Sequence, residues 1–247
     1  MTDLPEPIPA ATLILMRERA GRAPELLMIE RSGSMAFAAG ALVFPGGRID
    51  PDDYSLGGNE EAAARVAAIR ETIEETGLAP GLVPSPDAAT AAELRRRLAA
   101  GELFSAVLNA LNLSVEFDAL TPFARWCPNF RETRRFDTFF YLAEAAASGQ
   151  EASADQTEAV RSFWASASEV LAELEAGRAH AIFPTRRNLE RLARFGSISE
   201  ARADAARHPL RKITPWVEER DGRRFVCIPE DIGYPVTAEA YETARRR

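Results

Sequence analysis

The sequence predicts an α/β protein. Short apolar runs with strand character stand near the N-terminus and again after residue 120. One long amphipathic helix lies between them, and the last third reads as one helix after another. At 247 residues we read 1–247 as a single domain, with a helical insertion at about 82–116 and a helical segment at about 166–210.

Thr12–Met16 is the first predicted strand. Gly21–Pro24 makes a turn, and Glu25–Arg31 is the neighbouring strand. Gly33–Gly40 is a loop of small residues, and Ala41–Phe44 is a third strand that delivers the chain to Phe44-Pro45-Gly46-Gly47. Glycine permits positive φ and a close backbone approach.

The central helix begins at about Asn59, a fair N-cap, and ends at Gly77, where a left-handed cap is expected. Ala62, Val66, Ile69 and Ile73 form its apolar stripe. Glu71, Glu74 and Glu75 crowd another side, three and four residues apart. Like charges at that spacing cost about 0.2–0.5 kcal/mol per pair, so a compensating partner is expected. A solvated acidic face is the plain alternative. The glycine loop in front favours a hard divalent cation such as Mg²⁺, which takes oxygen ligands and shares its shell with substrate phosphates.

Ala88–Ala100 and Glu102–Leu111 read as two helical segments of an insertion, suited either to covering the site or to a homodimer contact. Strands resume at Leu120–Pro128 and Phe136–Leu142. Arg131, Arg134 and Arg135 precede the second of these. They form either a solvated loop or a phosphate-capturing cluster, since the planar guanidinium binds phosphate through two hydrogen bonds. Ala167–Ala176, Pro184–Phe195 and Ser199–Arg207 are predicted helices, and Ile213–Trp216 with Arg224–Pro229 a final strand pair.

The net charge of −7 argues against general nucleic-acid binding, and no run reaches the ~18–20 apolar residues of a membrane span. The acidic, proline-rich Met1–Pro9 has the wrong composition for a signal peptide. Cys127 and Cys227 are too few for a zinc site or disulfide framework. With only His180 and His208 as candidate bases, a catalytic cysteine is disfavoured. A cytoplasmic protein with reduced thiols is expected.

Phe44-Pro45-Gly46-Gly47 followed by Arg70-Glu71-x-x-Glu74-Glu75-x-Gly77 resembles the core of the Nudix box. The resemblance implies an α/β/α sandwich with a mixed sheet, in an enzyme that hydrolyses a nucleoside diphosphate linked to another group. It implies that Glu71, Glu74 and Glu75, helped by the Gly47 carbonyl, hold Mg²⁺ or Mn²⁺, with Gly46 and Gly47 against the substrate diphosphate. Arg70 orients the glutamates, and Glu74 and Glu75 carry catalytic charge. The spacing from Gly47 to Arg70 exceeds the usual box by about nine residues, which stretch the loop within Ile49–Asn59. The glutamate expected eight residues before the arginine is Ala62 here, with Glu60 and Glu61 as nearby stand-ins.

Upstream, Arg31, Ser32, Gly40 and Phe44 fall in register with a pattern of Nudix enzymes acting on coenzyme A, which makes Arg31 a substrate contact; its second arginine is Ala36 here. Trp126, Pro128 and Arg135-Phe136-Asp137-Thr138-x-Phe140 are similar to the peroxisomal acyl-coenzyme A diphosphatases and their bacterial relatives, over about Thr12 to Tyr234. By spacing to Trp164, Glu158 matches the loop glutamate that completes the metal shell or activates the water, with Asp155 as substitute. The implied substrate is coenzyme A or an acyl derivative. The alternatives are ADP-ribose, NADH or another nucleoside diphosphate conjugate, and a non-catalytic nucleotide-sensing module.

Overall fold

The computed structural model describes residues 5–33, 38–129, 135–145, 152–154 and 159–244. Strands β1 (Ile8–Arg19) and β2 (Arg22–Arg31) form a hairpin, followed by β3 (Leu42–Val43) and β4 (Gly46–Arg48). Helices α1 (Pro51–Gly57) and α2 (Glu60–Thr76) come next. The insertion contains β5 (Leu82–Val83), α3 (Ala88–Ala99), α4 (Phe104–Ala110) and β6 (Ser114–Val115). Then follow β7 (Thr121–Trp126), β8 (Phe136–Glu144), β9 (Ala159–Ser166), α5 (Ala167–Glu175), α6 (Phe183–Leu192) and α7 (Ile198–Arg207). The chain closes with β10 (Lys212–Ile213), β11 (Trp216–Arg220), β12 (Arg223–Cys227), β13 (Ala238–Ala240) and α8 (Tyr241–Ala244).

The main sheet is mixed, in the order β10-β7-β8-β1-β2-β3, with β4 also paired to β1 and β9 to β2. β1 runs parallel to β8 and antiparallel to β2 and β4. Alternation along the strands splits the core in two, because successive side chains leave opposite faces. Leu13, Leu15, Phe139 and Tyr141 meet α2 and the insertion helices. Ile14, Met16, Phe140 and Leu142 meet residues of α5, α6 and α7. The result is an α/β/α sandwich.

Asn59 caps α2 by accepting the Ala62 N–H at 3.0 Å, and Gly77 closes it at φ 74°, its N–H bonding to the Ile73 carbonyl. Val66, Ile69 and Ile73 are fully buried, each worth about 1.5–3 kcal/mol of transfer free energy. Ala63, Ala64, Ala67 and Ala68 are buried as well. The helix is therefore enclosed on more sides than a single stripe implies, because Leu94, Leu98, Phe104 and Val107 of the insertion complete the same core. The insertion builds core beside α2.

Three expectations need correction. The β1–β2 turn is tighter than Gly21–Pro24: Arg19 pairs with Arg22, and Pro24 lies inside β2 at a register shift, where its missing N–H costs no ladder bond. The extra residues of the box form α1 and do not merely lengthen a loop, because Pro51 opens that helix and Asp50 and Asp53 make a reciprocal capping box. The tail is more than a strand pair: β10 joins the main sheet beside β7, while β11, β12 and β13 form a separate sheet. Asp221 and Gly222, both at positive φ, supply the tight turn between β11 and β12.

Candidate active site

β4 and α2 build the site. The Gly46 N–H donates to Glu75 Oε2 at 2.9 Å, which ties the loop to the helix. A Cβ on Gly46 would lie under 3.0 Å from the Ala11 carbonyl and Thr12 Cα of β1, so β4 packs against β1 where only glycine fits. A Cβ on Gly47 would lie under 3.0 Å from the Glu71 carboxylate. Both glycines thus bring backbone up to the acidic side of α2.

Arg70, 7% exposed, occupies the middle. Its Nη1 donates to Glu71 Oε1 at 2.9 Å and to the Glu74 carboxylate at 3.4 Å. Its Nη2 donates to the Arg48 carbonyl at 2.9 Å. Burial alone would depress its pKa; the hydrogen bond to Asp53 and the charges of Glu71, Asp53 and Glu74 outweigh it and raise it well above the ordinary value. Burial pushes the Glu74 carboxyl up, against the pull of Arg70 and with the help of Asp50 and Asp53.

Arg70's principal partner is Asp53 of α1, which sequence reasoning missed. Nε and Nη2 meet Asp53 Oδ1 and Oδ2 at 3.1 and 2.9 Å, with Asp53 fully buried. Glu60 and Glu61, the nearby stand-ins for the box glutamate, face other cations: Glu60 pairs with Arg125 at 3.1 Å and Glu61 with Arg65 at 3.0 Å. The reason is geometric, since both lie in the first turn of α2 and are drawn to cations there. Arg95 of α3 was also missed. It donates to the Glu74 and Glu75 carbonyls at 3.0 and 3.2 Å, placing positive charge at the C-terminal end of α2 where the helix dipole favours it.

Gly46, Gly47, Arg70, Glu71, Glu74 and Glu75 are therefore brought together. Arg31 stands at the end of β2, and its buried Nε has no hydrogen-bond partner among the described residues. Arg135 precedes β8 opposite Ile8, about 13 Å along β1 from Thr12 at ~3.3 Å per residue. Its Nη2 contacts Cys127 Sγ at 3.4 Å, and its buried Nε likewise lacks a partner among the described residues. Arg131, Arg134, Asp155, Glu158 and Ala36 lie outside the described residues.

Among the described residues, no three His, Cys, Asp or Glu side chains stand in a metal-binding arrangement. Glu71 and Glu74 lean on Arg70, and Glu75 on the Gly46 amide. The donor set nevertheless fits a hard divalent ion: every side-chain donor is a carboxylate oxygen, and the Glu71 carboxylate lies directly against the Gly47 backbone.

Residues 7–102 match the family model of the NUDIX domain, a stretch that holds both glycines, α1 and α2. Residues 7–102 thus carry a Nudix domain, and the chain is a Nudix-type hydrolase. It is 26% identical to the acyl-coenzyme A diphosphatase NUDT19 of Gallus gallus, over 85% of this chain and 73% of that protein. A NUDIX hydrolase from Alicyclobacillus acidocaldarius superposes with a TM-score of 0.72 at 26% identity, covering 82% of this chain and 97% of its own.

Proposed function

We propose that the protein hydrolyses the diphosphate of coenzyme A or acyl-coenzyme A in the presence of Mg²⁺ or Mn²⁺, giving 3′-phosphoadenosine phosphate and (acyl-)phosphopantetheine. One observation carries the metal part of this reading. The single guanidinium of Arg70 is shared among the Asp53, Glu71 and Glu74 carboxylates, with the Glu75 carboxylate on the Gly46 amide beside them, which leaves carboxylate oxygens in excess of the positive charge. A divalent ion held by these carboxylates and the Gly47 carbonyl would polarise the diphosphate and lower the pKa of an attacking water.

Gly46 and Gly47 let the substrate diphosphate approach the backbone. Glu74 and Glu75 hold charge at the reacting centre, and Arg70 orients the glutamates. Glu158, with Asp155 as its substitute, takes the proton as the water oxygen bonds to phosphorus and the bridging P–O bond breaks. Arg31 and Arg135, each with an Nε lacking a partner among the described residues, suit phosphate groups, and Arg131 and Arg134 adjoin Arg135 in sequence. The whole chain acts as one domain in the cytoplasm, consistent with free Cys127 and Cys227. Among the described residues no helix is long and apolar enough to cross a membrane.

The similarity to NUDT19 supports the coenzyme A substrate. Ala36, where the coenzyme A pattern has a second arginine, favours a second reading with ADP-ribose or NADH as substrate. Mass-spectrometric product analysis separates them. The protein is incubated with Mg²⁺ or Mn²⁺ and coenzyme A, acetyl- and long-acyl-coenzyme A, ADP-ribose, NADH and dinucleoside polyphosphates, with Glu75→Gln as the blank. Release of 3′-phosphoadenosine phosphate is expected. AMP from ADP-ribose or NADH alone would leave the site standing and remove the coenzyme A assignment. Turnover by Glu75→Gln at the wild-type rate would remove the site.

A further inference from the structure

Arg31 carries a buried Nε with no hydrogen-bond partner among the described residues, and its backbone is held by the turn at residues 38–42. The Arg31 N–H donates to the Ala41 carbonyl at 3.0 Å, and the Gly40 N–H donates to the Arg31 carbonyl at 3.1 Å. The turn itself is poorly equipped to keep its shape. Ala38, Ala39, Gly40 and Ala41 bring no polar side chain to it. Ala38 at φ 52° and Gly40 at φ 68° both stand in the left-handed region, which an alanine keeps only where its surroundings enforce it.

His180, in the connection between α5 and α6, supplies what the turn lacks. Its carbonyl accepts the Leu42 N–H at 2.8 Å. Its ring Nε2 stands 3.1 Å from the Ala39 carbonyl, and since a carbonyl only accepts, that nitrogen carries the proton. A Cβ on Gly40 would lie 3.4 Å from His180 Cε1, so the ring packs against the turn. His180 is itself fixed from both sides. Gly177, at φ 68°, closes α5 by donating its N–H to the Leu174 carbonyl at 3.2 Å. Phe183, the first residue of α6, is buried edge-on against Trp126 with 5.9 Å between ring centroids.

We propose that His180 is a positioning residue for substrate binding, acting through the turn at residues 38–42 on Arg31. The imidazole holds Ala39, the turn holds the Arg31 backbone, and the guanidinium meets a phosphate group of the substrate. This rests on the reading of Arg31 as a phosphate contact. It gives a binding role to the α5–α6 connection, which lies outside the stretch of residues 7–102 that matches the family model.

The test is steady-state kinetics on the full chain with Mn²⁺, with coenzyme A and ADP-ribose measured in parallel. The variants are His180→Ala, His180→Gln, Arg31→Ala and the double variant of His180→Ala with Arg31→Ala. His180→Ala is expected to raise KM about 3- to 10-fold with kcat within about twofold, the scale of one lost hydrogen bond that serves binding alone. His180→Gln returns a donor and is expected to recover most of that loss. In the double variant the two effects are expected not to add, because His180 works through Arg31. Wild-type KM in His180→Ala, with or without a lower melting temperature, would overturn the proposal while the Arg31→Ala defect left the phosphate contact standing. Additive losses in the double variant would overturn it as well. Wild-type KM in Arg31→Ala would instead strike down the phosphate reading of Arg31, and the proposal with it.

Discussion

Gly47 lies directly against the carboxylate of Glu71, so close that a single Cβ at position 47 would lie under 3.0 Å from it. The carboxylate cannot simply swing away, because Arg70 Nη1 holds its Oε1 at 2.9 Å. Gly46 faces a different obstacle, the backbone of Ala11 and Thr12.

The two glycines therefore predict different defects. Gly47→Ala is expected to fold and to lose divalent-metal affinity and turnover, because the neighbour that must shift is a side chain. Gly46→Ala must move backbone of the central strand and is expected to lose about 1–3 kcal/mol of stability, the usual cost of overpacking. Urea denaturation of both, with Mn²⁺ titration of Gly47→Ala, checks the contrast. Equal destabilisation of the two would contradict it.

Glu74 predicts a pH dependence. Burial raises its carboxyl pKa above 4.5, so the folded protein binds this proton more tightly than the unfolded chain. The corresponding stability is complete below 4.5 and is lost as pH rises through the raised folded value. Glu74→Gln removes that loss. Without metal it is expected to melt higher than wild type at pH 8, with the gap closing at pH 4. Added Mn²⁺ is expected to raise the melting temperature of wild type more than that of the variant, since ligand binding to the folded state stabilises it.

Asp137 predicts the opposite slope. Burial works against its charge, but the hydrogen bonds from Arg125 and Lys212 prevail and hold its carboxyl below the ordinary value. Arg125 grips it through both oxygens at 2.8 and 2.9 Å. This contribution is present above pH 3.8 and fades as pH falls through the lower folded value. Asp137→Asn is expected to cost about 2 kcal/mol at pH 7, the scale of a charge-assisted hydrogen bond, and progressively less at pH 3. Chemical denaturation at the two pH values gives the comparison; a pH-independent difference would refute it.

How much was legible in the sequence follows the range of the interactions. α2 was readable almost to the residue, because its cap at Asn59, its left-handed stop at Gly77 and its glutamates at three- and four-residue spacing are all local features. The strands β1, β2, β7 and β8 were readable from their apolar runs, with the ends misplaced by a few residues. The β11–β12 hairpin had a signal that went unread, the Asp221-Gly222 pair at its turn.

The approach of Gly46 and Gly47 on β4 to the glutamates of α2 was thus legible in the sequence alone. The partner of Arg70 was decided only by tertiary structure. Asp53 comes from an inserted segment seventeen residues away, and it reaches Arg70 because α1 folds back along α2. The same holds for Arg95, which meets the end of α2 only after the insertion has packed against it. Local spacing governs which side chains share a helix face, whereas a buried charge takes whichever opposite charge the packed chain delivers, and spacing carries no record of that choice.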